Sequence, residues 1–251
     1  MAERGILTRQ DGATISYERM AGRTPAVVFA HGLRSDMNGT KPTALAEHCA
    51  KVGRAFVRYD AYGHGASSGD FPDGTIGRWR DDCLAVIDKL TQGPVILVGS
   101  SMGGWVMLLA ALARPERIAG LIGIAAAPDF TEALMWKEFT SEQREIIQRD
   151  GRLEIPSEYG EPMIISRTLI EDGHNHLLMG GPLAIQAPVR LLQGQADPDV
   201  PWCTALNIAK RIEGPDVRVT LVKHGDHRLS KPDEIELLLA TVEELAEKAS
   251  A

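Results

Sequence analysis

The chain has 251 residues, three cysteines and a formal net charge of −7. An acidic balance of this size argues against nucleic acid or an anionic membrane surface as the main partner, and no apolar run is long enough to span a bilayer. The length fits one large α/β domain whose core needs no disulfide or metal staple, and the widely spaced Cys49, Cys83 and Cys203 read as free thiols in a reducing compartment.

Met1-Ala-Glu-Arg-Gly5 has neither an apolar core nor a basic start, so it does not read as a signal peptide, and the expectation is a cytoplasmic protein. Gly5 to Arg9 and Ala13 to Arg19 flank Asp11-Gly12, a dipeptide that predicts an antiparallel hairpin. Ala26 to Ala30 is a short apolar run ending at His31-Gly32 and predicts a buried strand. Thr43 to Val52 has helical spacing of Leu45, Ala46, Cys49 and Ala50. Ala55 to Tyr59, ending at Asp60, predicts another buried strand, and Ile76 to Leu90 puts Trp79, Cys83, Val86, Ile87 and Leu90 on one helix face. Val95 to Val98 predicts a strand and Gly104 to Arg114 a helix. Three further buried strands are predicted at Ile118 to Ala125, Val189 to Leu192 and Val217 to Val222, with helices at Thr204 to Ile212 and Lys231 to Ala249.

Short aliphatic strands alternating with amphipathic helices predict an α/β fold: a mostly parallel central sheet with helices on both faces and antiparallel N-terminal strands at one edge. Glycine and proline fall between the periodic segments rather than in one linker, so residues 1–251 read as a single domain. Residues 129 to about 187 break the alternation. Asp129 to Arg149 and Met163 to Leu178 read as helical, and a segment this long is not an unstructured loop. It reads as a small helical cap inserted between two sheet strands, over the site.

In such sheets the site lies at the carboxyl ends of the strands. His31, Asp60, Ser101, Asp197 and His227 each fall just after a predicted strand. Gly99-Ser100-Ser101-Met102-Gly103 is a Gly-x-Ser-x-Gly match set between a strand and a helix, the context in which a sharp turn holds a serine hydroxyl above the sheet. A side chain at Gly99 or Gly103 would clash with the neighbouring strand and helix. Ser101 is the candidate nucleophile; Ser100 sits at the variable position of the motif, away from the apex.

A serine nucleophile needs a base, and Lys223-His-Gly-Asp-His-Arg228 after the last strand offers two histidines. His227, on the loop before the terminal helix, is preferred to His224 at the strand end. An acid one strand earlier would hold the imidazole tautomer; Asp197 is preferred to Asp199, which reads as facing solvent or capping the next helix. Asp226 reads as structural. The oxyanion hole needs two backbone N–H groups, and the candidates are Met102, after the serine, and Leu33, in the turn made by Gly32. His31 and His64 read as braces of their loops.

His174-Asn-His176 and the His224/His227 pair were weighed as metal ligands; no carboxylate or thiol cluster accompanies them at ligand spacing in sequence, so no metal and no cofactor are expected. Leu134, Met135, Trp136 and Phe139 cluster in the cap, as do Leu177, Leu178 and Met179. These groups either line an acyl pocket, with Trp136 and Leu178 as candidate substrate contacts, or pack the cap onto the core.

His31-Gly32, Asp60-x-x-Gly63-His64-Gly65-x-Ser67, Gly99-x-Ser101-x-Gly103-Gly104, Gly194-x-x-Asp197-x-x-Val200-Pro201 and Asp226-His227 jointly resemble the α/β-hydrolase superfamily. Met37-Asn-Gly-Thr-Lys41, Gly99 to Trp105, Ala113-Arg-Pro-Glu116, Val200-Pro-Trp202 and Lys223-His-x-Asp-His-Arg228 are similar to its mitochondrial S-depalmitoylases and acyl-glucuronide esterases. The resemblance implies a serine esterase or thioesterase with Ser101, Asp197 and His227 as its triad, acting on a small acyl ester or thioester or on an acylated protein. An acyltransferase or amidase would use the same triad, and a catalytically silent small-molecule binding protein would use the same scaffold.

Overall fold

Asp11-Gly12 reverses the chain, with the Asp11 carboxylate accepting the Ala13 N–H at 3.1 Å. Strands β1 (Ala2–Thr8) and β2 (Thr14–Met20) therefore pair antiparallel, from Ala2 opposite Met20 to Thr8 opposite Thr14. The computed structural model describes residues 2–157 and 160–249. After the hairpin come β3 (Arg23–Ala30), α1 (Thr40–Val52), β4 (Arg54–Tyr59), α2 (Ile76–Leu90), β5 (Val95–Ser100), α3 (Met102–Ala113) and β6 (Ile118–Ile124). The chain returns to the sheet at β9 (Val189–Gly194), after an excursion described below, and ends with α6 (Cys203–Arg211), β10 (Val217–Val222) and α7 (Pro232–Lys248).

The eight-stranded sheet runs β1-β2-β4-β3-β5-β6-β9-β10. Every pairing from β4 to β10 is parallel, whereas β2 meets β4 antiparallel, so the reversed strands lie at one edge. Strands buried on both faces need no polar alternation. Val95 and Leu97 of β5 pack with Trp79, Val86 and Trp105 on one side. Ile96 and Val98 pack with Leu45, Cys49, Leu238 and Val242 on the other. This is the α/β-hydrolase fold. Among the described residues no helix is long and apolar enough to cross a membrane.

The excursion between β6 and β9 differs from its sequence reading. Asp129 to Arg149 is not one helix: residues Thr131–Trp136 form a π-helical turn and α4 (Ser141–Asp150) starts afresh. A capping box causes the break. Thr140 Oγ1 accepts the Gln143 N–H while Gln143 Oε1 accepts the Thr140 N–H. Met163 to Leu178 also divides. Strands β7 (Arg152–Ser157) and β8 (Gly160–Ser166) form an antiparallel hairpin, and α5 (Arg167–His174) begins only where Ser166 caps the Leu169 N–H. Leu153 and Ile165, directly opposed in the hairpin, close a small second core with Phe139, Ile147 and Ile170.

Candidate active site

Ser101 sits between β5 and α3 at φ 54°, ψ −116°, a backbone conformation that a non-glycine residue adopts only under constraint. Its N–H donates to Ile124 O at 2.9 Å, and its carbonyl accepts from Gly104 at 2.8 Å and Ala127 at 3.1 Å. Two glycines make the turn possible. A Cβ on Gly99 would fall on the Gly103 carbonyl, and one on Gly103 would fall on the Ala30 carbonyl at the end of β3. The hydroxyl is thereby presented at the carboxyl end of the sheet. Ser100 ends β5, and its side chain does not occupy the apex.

The loops after β9 and β10 meet Ser101 there. His227 Nδ1 lies 2.9 Å from Asp197 Oδ2, and His227 Nε2 lies 3.1 Å from Ser101 Oγ. With Nδ1–H donating to the carboxylate, Nε2 is left to accept from the serine hydroxyl. Asp197 is fully enclosed and His227 partly so, with side chains 0% and 22% exposed. Burial works against charge on Asp197, but hydrogen bonds from His227, Val200 and Asp199 outweigh it and hold the carboxyl below its ordinary range.

The alternative residues take other roles. His224 is exposed, and its carbonyl accepts from Lys231 Nζ. Asp226 Oδ1 accepts the Arg228 and Leu229 N–H groups at 3.0 Å each, shaping the loop that carries His227. Asp199 is exposed, but it is closer to the site than its sequence position suggested: ligand atoms of Asp197, Asp199 and His227 all lie within 4.8 Å of one another. The sequence reading found no carboxylate beside the histidine pairs, and the fold supplies two for His227. Asp197 and His227 already engage each other within that group.

Leu33 and Met102 line the same cavity as Ser101. Among the described residues neither N–H is hydrogen-bonded within the protein. The loop that carries Leu33 is held from behind by two histidines. His31 Nδ1 donates to Gly32 O at 2.8 Å and its Nε2 accepts from Ala61 at 3.0 Å. His64 Nδ1 donates to Tyr62 O at 3.0 Å and its Nε2 accepts the Arg34 N–H at 3.2 Å. Each ring thus both donates and accepts, which requires the neutral form.

Burial pushes His31 below its ordinary pKa, and burial together with the neighbouring His31 pushes His64 down to about 4. The consequence has a definite sign. As pH falls from 6.5 toward 4, the unfolded chain takes up a proton that native His64 refuses. Its contribution is present above that window and is lost across it, by about 3 kcal/mol at the foot. The melting temperature of the wild type should fall more steeply between pH 6.5 and 5 than that of His64→Asn; parallel curves would contradict this.

Ser101 and His227 open onto a cavity of about 1210 Å³. Its lining includes the apolar Ala127, Phe130, Leu134, Met135 and Met163 and the cationic Arg34, Lys41 and Arg228. Of the expected substrate contacts, Trp136 and Leu178 do not line it. Trp136 packs edge-on against Phe139 and under the Arg144 guanidinium, because the wide π turn moves Leu134 and Met135 onto the cavity face instead. Leu178 is held by its N–H, which donates to Asp129 Oδ1 at 2.8 Å beside the matching bond from Met179.

Sequence reasoning also missed two residues that hold the site. Lys41 Nζ donates to the Arg228 carbonyl and lies 3.5 Å from Ser230 Oγ, tying α1 to the His227 loop; burial pushes its ammonium down to about 8. Gln193, near the end of β9, donates to Asp197 Oδ2 at 2.9 Å. A polar residue directly after Leu191-Leu192 and before Gly194 was the available signal for it.

The family model described as "Serine aminopeptidase, S33" matches residues 23–153. The chain is 41% identical over 251 residues to the mouse "Palmitoyl-protein thioesterase ABHD10, mitochondrial", covering 99% of this chain and 84% of the relative. The human protein of that name is 40% identical, with 98% and 80% covered. The solved structure of mouse alpha/beta hydrolase domain-containing protein 10 superposes with a TM-score of 0.90 at 40% identity, over 98% of this chain and 99% of that one. A putative hydrolase from Agrobacterium vitis S4 gives 0.94 at 38%, over the same shares. These relatives correct the expectation of a cytoplasmic protein, since the ABHD10 proteins are named as mitochondrial. That expectation rested on the first residues and on free thiols, and free thiols fit any reducing compartment.

Proposed function

The chain belongs to the α/β-hydrolase family, together with the ABHD10 thioesterases, and on that premise we propose that it hydrolyses carboxylic thioesters and esters through an acyl-enzyme on Ser101. The observation that carries this reading is His227 standing between Ser101 Oγ and Asp197 at 3.1 and 2.9 Å, on a cavity whose apolar lining we read as an acyl arm. His227 takes the serine proton as Oγ attacks the acyl carbonyl. The Leu33 and Met102 N–H groups hold the oxyanion. His227 then protonates the departing thiolate or alkoxide, and later activates the water that frees the acid. Asp197 keeps Nδ1 protonated and stabilises the imidazolium.

The relatives' name speaks of palmitoyl-proteins, and the apolar arm supports a long aliphatic acyl group here as well. Phe130, Leu134, Met135 and Met163 supply bulky and flexible walls suited to a chain without polar atoms. Residues 129–187 act in this reading as a cap on a single hydrolase domain, and the cap furnishes most of that wall. A p-nitrophenyl ester series and an acyl thioester series, from short to long chains, test it. Turnover should rise with chain length in both series. Met135→Trp, which fills the arm, should lower long-chain turnover relative to short by about tenfold or more. An unchanged chain-length profile in that variant would remove the acyl group from this arm.

A further inference from the structure

We infer that Gln193 is a positioning residue of the proposed triad, fixing the Asp197 carboxylate so that it serves His227 alone. This rests on the Ser101 reading above. Gln193 lies in β9 with no exposed surface. Its Nε2 donates to Asp197 Oδ2 at 2.9 Å and reaches Val200 O at 3.3 Å. The other carboxylate oxygen, Oδ1, accepts from Asp199 N at 2.8 Å and Val200 N at 2.9 Å. Asp197 thus receives four hydrogen bonds, three from donors that cannot change charge and one from His227. With three sides occupied by neutral donors, its plane is fixed and its charge faces the imidazole.

A second observation gives Gln193 this role rather than that of a core filler. Its Oε1 is buried and without a hydrogen-bond partner. A buried orphan acceptor is unfavourable, and an apolar side chain of the same length would avoid it. The amide is therefore accounted for by its donor end, which is the end that meets Asp197. The amide cannot be reversed, because Oε1 would then face the carboxylate.

The sign of the effect follows. Gln193 and His227 share Oδ2. Removing the Gln193 donor leaves that oxygen to the imidazole alone, which favours the imidazolium in the resting enzyme. The acid limb of the rate profile moves to higher pH. The carboxylate also loses its fixed plane, so the plateau falls.

The test measures kcat, KM and their pH dependence on one thioester for the wild type, Gln193→Met, Gln193→Glu and Ser101→Ala. Gln193→Met should lower kcat by about tenfold or more with KM unchanged, and its acid limb should lie at higher pH. Gln193→Glu provides a second reading of equal shape. Its protonated acid still donates to Asp197, whereas its ionised form sets a second carboxylate against it. Activity relative to the wild type should therefore fall as pH rises, with no such trend in Gln193→Met. Wild-type kcat and limb position in Gln193→Met, or a flat ratio in Gln193→Glu, would overturn the assignment even if both variants melt at lower temperature. Turnover retained by Ser101→Ala would instead bring down the Ser101 reading.

Discussion

Ser101→Ala should lower kcat on a long-chain acyl thioester by about 10⁶-fold, with the melting temperature almost unchanged. The hydroxyl oxygen has one hydrogen bond, to His227 Nε2, and the turn is held by backbone bonds to Ile124, Gly104 and Ala127 that alanine keeps. The positive φ is imposed by the close approach of Gly103 to β3 and not by the side chain, so alanine accepts it at the same cost. Stability therefore stays while the nucleophile goes. Residual activity of about 10³ over the uncatalysed rate should persist, because the N–H groups of Leu33 and Met102, as the proposed oxyanion hole, would still polarise the carbonyl. Adding His227→Ala to Ser101→Ala brings little further loss, since the two act as a unit. The comparison is made by steady-state kinetics and thermal melting on the same samples.

Asp197→Asn lowers kcat by about 10⁴-fold and, unlike the serine change, also lowers stability. An amide cannot replace this carboxylate in either orientation. With its NH₂ toward Asp199 N and Val200 N, donors meet donors on the side of Oδ1. With its NH₂ toward the side of Oδ2, it opposes Gln193 Nε2 and forces His227 to present Nδ1 as an acceptor. The proton then sits on Nε2, where the base must be empty. Each buried donor left without an acceptor costs about 1–3 kcal/mol, so a fall in melting temperature accompanies the kinetic loss. Wild-type melting with reduced kcat would mean that the backbone donors had found water.

The parallel core was legible because strands buried on both faces read as short aliphatic runs, as at Val95 to Val98; Val217 to Val222, expected as another buried strand, is instead the edge of the sheet, with Arg218 and Thr220 exposed. The meeting of Ser101, Asp197 and His227 was legible because each follows a strand, and a parallel sheet gathers its strand ends at one edge. The excursion between β6 and β9 was not. Leu153-Glu154-Ile155 does alternate, but over too few residues to outweigh the helix-forming residues before it. The π turn at Thr131–Trp136 defeats a reading that assumes the usual helical period, which is why Trp136 was chosen where Leu134 and Met135 stand. Lys41 lies 187 residues from the carbonyl it holds, and no local pattern encodes such a reach. Gln193 lay just beyond the expected strand, Val189 to Leu192, and carried no reading, because its partner is reached only when the turn at Asp197 folds back over β9.

The acyl-enzyme itself is the most direct test. Wild type and Ser101→Ala are mixed with a long-chain acyl thioester, quenched in acid during turnover, and the intact protein and its peptides are weighed. The wild type should gain the mass of one acyl group, carried by the peptide that contains Ser101, and the variant should gain none. An acyl group on Cys203, the exposed thiol, or on any residue other than Ser101 would contradict the Ser101 reading, as would turnover with no covalent intermediate in either protein.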